Sequence, residues 1–177
     1  LALLLAAVLF AAGCGSCALA EYGCSEASEV LLRLHLSDIT NQEPELKQLL
    51  TGRNSFVSIT GQPPVAGRIA LEAWHWSGIK SRESSGGALT VKTQNYTAVW
   101  FQQEKIDASG SYQQTAAEFS ALQHCLDKYG ATVADHTLRT WLYCRDVDNN
   151  YQGLVDARND FFSANGLTRD THFIAST

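Results

Sequence analysis

Five cysteines, a pair of recurring aspartates and a histidine flanked by tryptophans are the first residues whose types and spacing suggest chemistry. Cys14, Cys17 and Cys24 cluster near the start, and Cys14-x-x-Cys17 has a spacing used by zinc sites. A closed tetrahedral site needs a fourth ligand, and His35 is the sole nearby candidate, so no metal and no other cofactor is expected. An odd number of cysteines excludes complete internal disulfide pairing. Cys125 and Cys144 sit in apolar patterns and read as buried thiols. Asp38 and Asp146 invite a reading as a catalytic pair. The plainer account is that each caps a turn after a strand by accepting from backbone N–H groups. His75, between Trp74 and Trp76, reads as a packing or interface residue. Asn95-Tyr96-Thr97 fits a glycosylation pattern, and no Walker loop, dinucleotide fingerprint or nucleophile elbow occurs.

The chain that must position these groups has 177 residues, 45% hydrophobic and 18% charged. That is enough apolar content for one good-sized core or two small ones, and it argues against intrinsic disorder. A net charge of −5 with no Lys/Arg stripe gives no support for a nucleic-acid surface. A small anionic ligand held by one or two arginines is compatible with the composition. The absence of methionine, a start at Leu1 and a final run Phe173-Ile174-Ala175-Ser176-Thr177 that looks like a strand beginning read as a fragment or a processed chain. Residues 1–12 are almost wholly Leu, Ala, Val and Phe, too short a run for a comfortable membrane span. Two readings compete: a core helix over Leu1 to Ala20 in a cytoplasmic protein, or an export signal in which Ala11-Ala12-Gly13-Cys14 resembles a lipoprotein cleavage site.

Comparing the chain with itself favours the core helix, because an internal repeat assigns it a place. Tyr22-Gly23 and Tyr129-Gly130 are each followed by an apolar run. The runs lead to Asp38-Ile39-Thr40-Asn41 in one case and Asp146-Val147-Asp148-Asn149 in the other. Further on, residues 56–60 resemble residues 173–177, in the same order. In the second copy, Thr115-Ala116-Ala117-Glu118 has capping-box spacing for a helix over 114–129 ended by Gly130. Residues 136–147 alternate as a strand, with Leu138, Thr140, Leu142 and Cys144 on one face. Asn149 or Asn150 caps a helix over 151–165, stopped by Gly166, and a strand starts near Thr171. The first copy repeats the plan: a strand over 30–39, a short helix with Pro44 in its first turn, and strands over 55–60 and 68–76. Residues 81–87 are polar and Gly/Ser-rich and read as a linker, after which 88–92 and 96–103 open the second unit as a strand pair.

At these residues the chain resembles the Rid/YjgF family. The stretch from Arg139 to Phe162 looks like that family's central strand, Asp-containing turn and second helix, and residues 68–76 look like its closing strand. The resemblance implies an α/β (α+β) fold of tandem Rid-like, chorismate mutase-like units. Each would be a mixed sheet with two helices on one face, here 1–80 and 88–177 about the 81–87 linker, with truncation at the outer ends. It also implies a trimer with clefts between subunits and hydrolysis of reactive enamines or imines to ketone and ammonia. The substrate would be a small carboxylate-bearing molecule. In the roles the family assigns, Arg53 falls near the carboxylate-binding arginine, and Glu72 matches the glutamate that positions water. Arg169 and His172 occupy the corresponding substrate-binding region of the second copy. The family's usual Pro-Ala-Arg is absent. Two alternatives stay open: a chorismate-hydrolase-like enzyme, and a non-catalytic structural or ligand-binding unit of a larger tandem protein.

Overall fold

A computed structural model describes residues 5–9, 23–103, 106–168, 170–171 and 174–176. The fold mixes α and β elements in two compact units, Leu1–Trp100 and Phe101–Thr177.

In the first unit the strand Glu29–Leu36 (β2) is an apolar run buried along nearly its whole length, as a strand covered on both faces must be. It is followed by a helix, Ile39–Leu49 (α1), and a strand, Phe56–Thr60 (β3), that pairs with β2 in parallel. A parallel pair needs such a crossover, since a tight turn would return the chain antiparallel. The strand Ile69–His75 (β4) then pairs antiparallel with β2, and Leu5–Leu9 (β1) adds to its other side. The sheet order is β1-β4-β2-β3. Leu32, Leu34, Leu36, Val57, Ile59, Leu71 and Ala73 meet Leu46 and Leu50 on one face. Leu31, Phe56 and Trp74 lie on the other. There they join Leu89, Val91 and Trp100 from a second sheet built of Ser81–Ser85 (β5), Ala88–Lys92 (β6) and Thr97–Phe101 (β7).

Three expectations are corrected in this unit. Residues 81–87 are strand β5 and a turn to β6, not a linker, and the units divide after Trp100. The polar Gly/Ser composition is explained by the hairpin turn at Gly86-Gly87, both at positive φ. Helix α1 begins at Ile39, so Pro44 lies inside it rather than in its first turn. Asp38 sets the start: its carboxylate accepts from the Asn41 backbone N–H at 3.2 Å, while the Gln42 side chain accepts from the Asp38 N–H at 3.0 Å. Residues 5–9, expected as part of a core helix, form the edge strand β1; the rest of Leu1 to Ala20 lies outside the described residues.

The second unit is dominated by two helices, Ser111–Asp127 (α2) and Val147–Ala164 (α4). A single turn, Val133–His136 (α3), and a two-residue strand, Arg139–Thr140 (β8), lie between them. Phe119 stacks on Phe161 at 4.6 Å between centroids and meets Phe162 edge-on at 5.6 Å. Gly130 and Gly166, at φ 62° and 73°, end the two helices as expected. Thr115 is buried within α2, so the capping-box reading there fails; the helix starts four residues earlier, after Gly110. Likewise α4 starts after Asp146 rather than at Asn149 or Asn150.

The strand expected over 136–147 is reduced to β8, paired in parallel with Ala175–Ser176 (β9). Thr132 caps α3 and takes the first of those residues into a helical turn, and a strand without neighbours along its length is not stable. Leu138, expected on the core face, is exposed, and Cys144 is half-buried, whereas Cys125 is buried. The two helices pack on each other; the sheet meant to lie under both is, among the described residues, β8 and β9 alone. Both units contain the order strand–helix–parallel strand. In the first, Leu31 pairs with Phe56. The repeat would set Arg139 against Phe173, but its partner is Ala175, two residues on.

Candidate functional site

Arg53 follows α1 in a turn whose backbone is fixed on both sides. Thr51 N–H and Arg53 N–H bond to Gln48 and Leu50 carbonyls at 3.2 and 3.1 Å, and Gly52 supplies the positive φ of 82° that the reversal requires. The guanidinium then reaches the first residue of β2. Its Nη1 donates to both oxygens of Glu29, at 3.0 and 3.1 Å, and Ser55 Oγ donates to the same carboxylate. Glu29 is 3% exposed, so its charge depends on these donors. Glu29 is opposite His75 in the ladder while Leu31 is opposite Trp74, an offset made by a β-bulge. The bulge therefore turns Glu29 to the face opposite Leu31, where it can meet Arg53.

Arg82, on β5, closes the same place from another side. Its guanidinium donates to the carbonyls of Glu29 at 2.6 Å and Asn54 at 3.2 Å, and to that of Ala27. Burial lowers its pKa from the ordinary arginine value, and the nearby Glu29 partly opposes this. Together these residues wall a polar pocket of about 500 Å³, lined by Glu26, Glu29, Thr51, Arg53, Asn54 and Arg82 among others. Arg53 keeps its side chain 32% exposed. Among the described residues its Nε and Nη2 make no hydrogen bond; Glu26 stands 3.5 Å from Nη2 as an ion pair only. The edge of the guanidinium that can grip a carboxylate with two parallel bonds thus carries no hydrogen bond, and Arg53 lines the pocket.

Glu72 is elsewhere. It lies on β4 opposite Arg33, accepts from Arg33 Nη1 at 2.7 Å and from Trp74 Nε1 at 2.7 Å, and shares the Trp74 face of the sheet. Arg53 is tied to Glu29 on the other face. The chain does not bring Arg53 and Glu72 to one cleft, and each oxygen of Glu72 already accepts a hydrogen bond. Arg169 and His172 lie outside the described residues. His75 is buried, with Nδ1 3.0 Å from Ser28 Oγ and, among the described residues, no partner at Nε2. Asp38 caps α1 through a backbone N–H as expected, whereas the Asp146 carboxylate accepts from the Asn149 side chain, at 2.8 Å, and, among the described residues, from no backbone N–H. Among the described residues no group of three or more His, Cys, Asp or Glu is placed to hold a metal, and no helix is long and apolar enough to cross a membrane.

Sequence reasoning missed Glu29, Glu26 and Arg82. An acidic residue at the head of a mostly apolar strand was a signal for Glu29, since buried carboxylates need partners. Arg82 stood in a segment read as linker and gave none. Compared with known proteins, the chain matches no family model, no curated protein and no solved structure.

Proposed function

We propose that this chain is a Rid/YjgF-type protein of two tandem units that binds a small carboxylate-bearing molecule at Arg53. The observation that carries the binding reading is Arg53 lining a polar pocket, with Nη1 anchored on buried Glu29 and no hydrogen bond at its Nε/Nη2 edge among the described residues. A guanidinium held in place by one carboxylate loses little freedom on gripping another. The family likeness is supported by β4 closing onto β2 and by the strand–helix–parallel strand order of both units. Trimer formation belongs to the same likeness.

Ligand binding is favoured over imine or enamine hydrolysis. Hydrolysis needs a group that orients water beside the bound carboxylate. Glu72, given that part by the resemblance, instead accepts from Arg33 and Trp74 on the opposite face.

The test is titration calorimetry with pyruvate, a minimal carboxylate, on the natural protein and on Arg53→Lys. Lysine keeps the charge near Glu29 but loses the two-pronged grip. Binding to Arg53→Lys should weaken by about 1.5–3 kcal/mol, roughly 10- to 150-fold. Equal affinity of the two proteins removes Arg53 from the site.

A further inference from the structure

Glu26 is placed where it can compete with a ligand. Its carboxylate stands 3.5 Å from Arg53 Nη2 as an ion pair without a hydrogen bond, and its side chain is 81% exposed. Glu29, by contrast, is held at 3.0 Å and is 3% exposed at the side chain. The two acids therefore divide the guanidinium: one fixes Nη1, the other hovers over the edge left for an incoming carboxylate. The backbone beneath Glu26 is braced. Ser28 N–H bonds to Ser25 O at 3.0 Å, Ser28 Oγ to the same carbonyl at 2.9 Å, and Arg82 holds Ala27 O.

We infer that Glu26 is a built-in competitor for the ligand carboxylate at Arg53 and sets the ligand's preferred charge, disfavouring simple anions against molecules that also carry an ammonium. This rests on the proposed role of Arg53. An anion must displace Glu26 from the guanidinium and then sit beside a free carboxylate. A zwitterion meets the same displacement but offers Glu26 a cation in exchange. The effect is the size of an exposed ion pair, about two- to five-fold in affinity, and salt screens it.

The experiment titrates pyruvate and alanine into the natural protein, Glu26→Gln and Arg53→Lys, at low and at high salt. Glutamine keeps the shape of residue 26, and the exposed side chain makes no hydrogen bond to lose, so the variant folds as the natural chain does. Expected is a two- to five-fold tightening of pyruvate in Glu26→Gln, shrinking at high salt, with alanine unchanged or weaker. Arg53-dependent pyruvate binding that Glu26→Gln leaves unaltered overturns the competitor role while the Arg53 site stands. Equal tightening of both probes also overturns it, because a charge-blind gain means only a roomier pocket. Absence of Arg53-dependent binding of either probe, in both the natural protein and Glu26→Gln, overturns the site and the competitor together.

Discussion

The two strand–helix–strand crossovers follow one order but are held by different forces. In the first, α1 has no fully buried residue; Leu46 and, just beyond its end, Leu50 touch the sheet, and polar contacts secure both ends. Asp38 and Gln42 close its start, and the Arg53 turn ties its end to Glu29. In the second, α4 packs lengthwise on α2 through Phe161 and Phe162 around Phe119. Asp146, at φ 52°, makes no backbone cap there. A helix bound through its ends leaves the groups at those ends partly open, and that is where the pocket forms. A helix bound along its side spends its large side chains on packing.

The sharpest way to break this contrast is to remove the tie at the end of α1. Arg53→Ala leaves the Glu29 carboxylate buried with Ser55 as its remaining side-chain donor. Stripping one partner from a buried pair costs about 3–5 kcal/mol, and the lower end applies because Arg53 is one-third exposed. A loss of about 3 kcal/mol is expected in urea unfolding followed by tryptophan fluorescence. Adding Glu29→Gln should recover more than half of it, since a neutral amide leaves no bare charge. A loss under about 1 kcal/mol means that the end tie carries no such weight.

The second crossover is tested at its closest approach. Gly153 lies in α4 against the start of α2, where an added Cβ would stand 2.8 Å from the backbone nitrogen of Tyr112. Backbone cannot swing aside as a side-chain tip does, so Gly153→Ala forces the helices apart. The better helix propensity of alanine returns about 1 kcal/mol. Overpacking costs about 1–3 kcal/mol, with the stretched Tyr112 to Asp160 hydrogen bond, now 2.7 Å, added to it. The net expectation is a loss of about 1 kcal/mol, with amide-exchange protection falling first in α2 and α4. Unchanged or increased stability means that the helix pair has slack and is not the tight partner of the comparison.

What the sequence disclosed follows the range of the forces. Strand β2 was legible because a strand covered on both faces is mostly apolar, as the run of Val30, Leu31, Leu32, Leu34 and Leu36 is. The ends of α2 and α4 were legible because Gly130 and Gly166 act within their own turns. The strand over 136–147 was not, because alternation is local while a ladder needs a neighbour, and β9 supplies two residues. Arg53 was named from the resemblance, but its partner Glu29 stands 24 positions away and is aimed by a bulge. Arg82 is 53 positions from Glu29 and meets it only after β5 has formed. Glu72 was assigned to chemistry with Arg53, yet Glu72 is taken by Arg33, opposite it across the ladder, and by Trp74, while Arg53, in the turn after α1, is tied to Glu29; neither tie shows before the register of β2 and β4 is fixed.

The finest distinction between the crossovers is the start of each helix. Hydrogen bonds from the side chain and the backbone of Asn41 lower the pKa of Asp38 from its ordinary value, burial and Arg68 adding smaller opposed effects. A carboxylate with a lowered folded pKa contributes stability that is fully present above its unfolded pKa, about 3.9. That contribution is lost as the pH falls through the folded value, because below it both states are protonated. Asp38→Asn removes the titration but keeps a side chain that caps helices equally well. The natural protein should therefore exceed Asp38→Asn in stability at pH 6, with the difference shrinking as the pH falls below about 4, where the unfolded carboxyl takes up its proton. Asp38 is at the surface, so the shift is small and is read from paired urea midpoints at the two pH values. A difference between the two proteins that stays constant across this range means that the charge of Asp38 does not hold the start of α1.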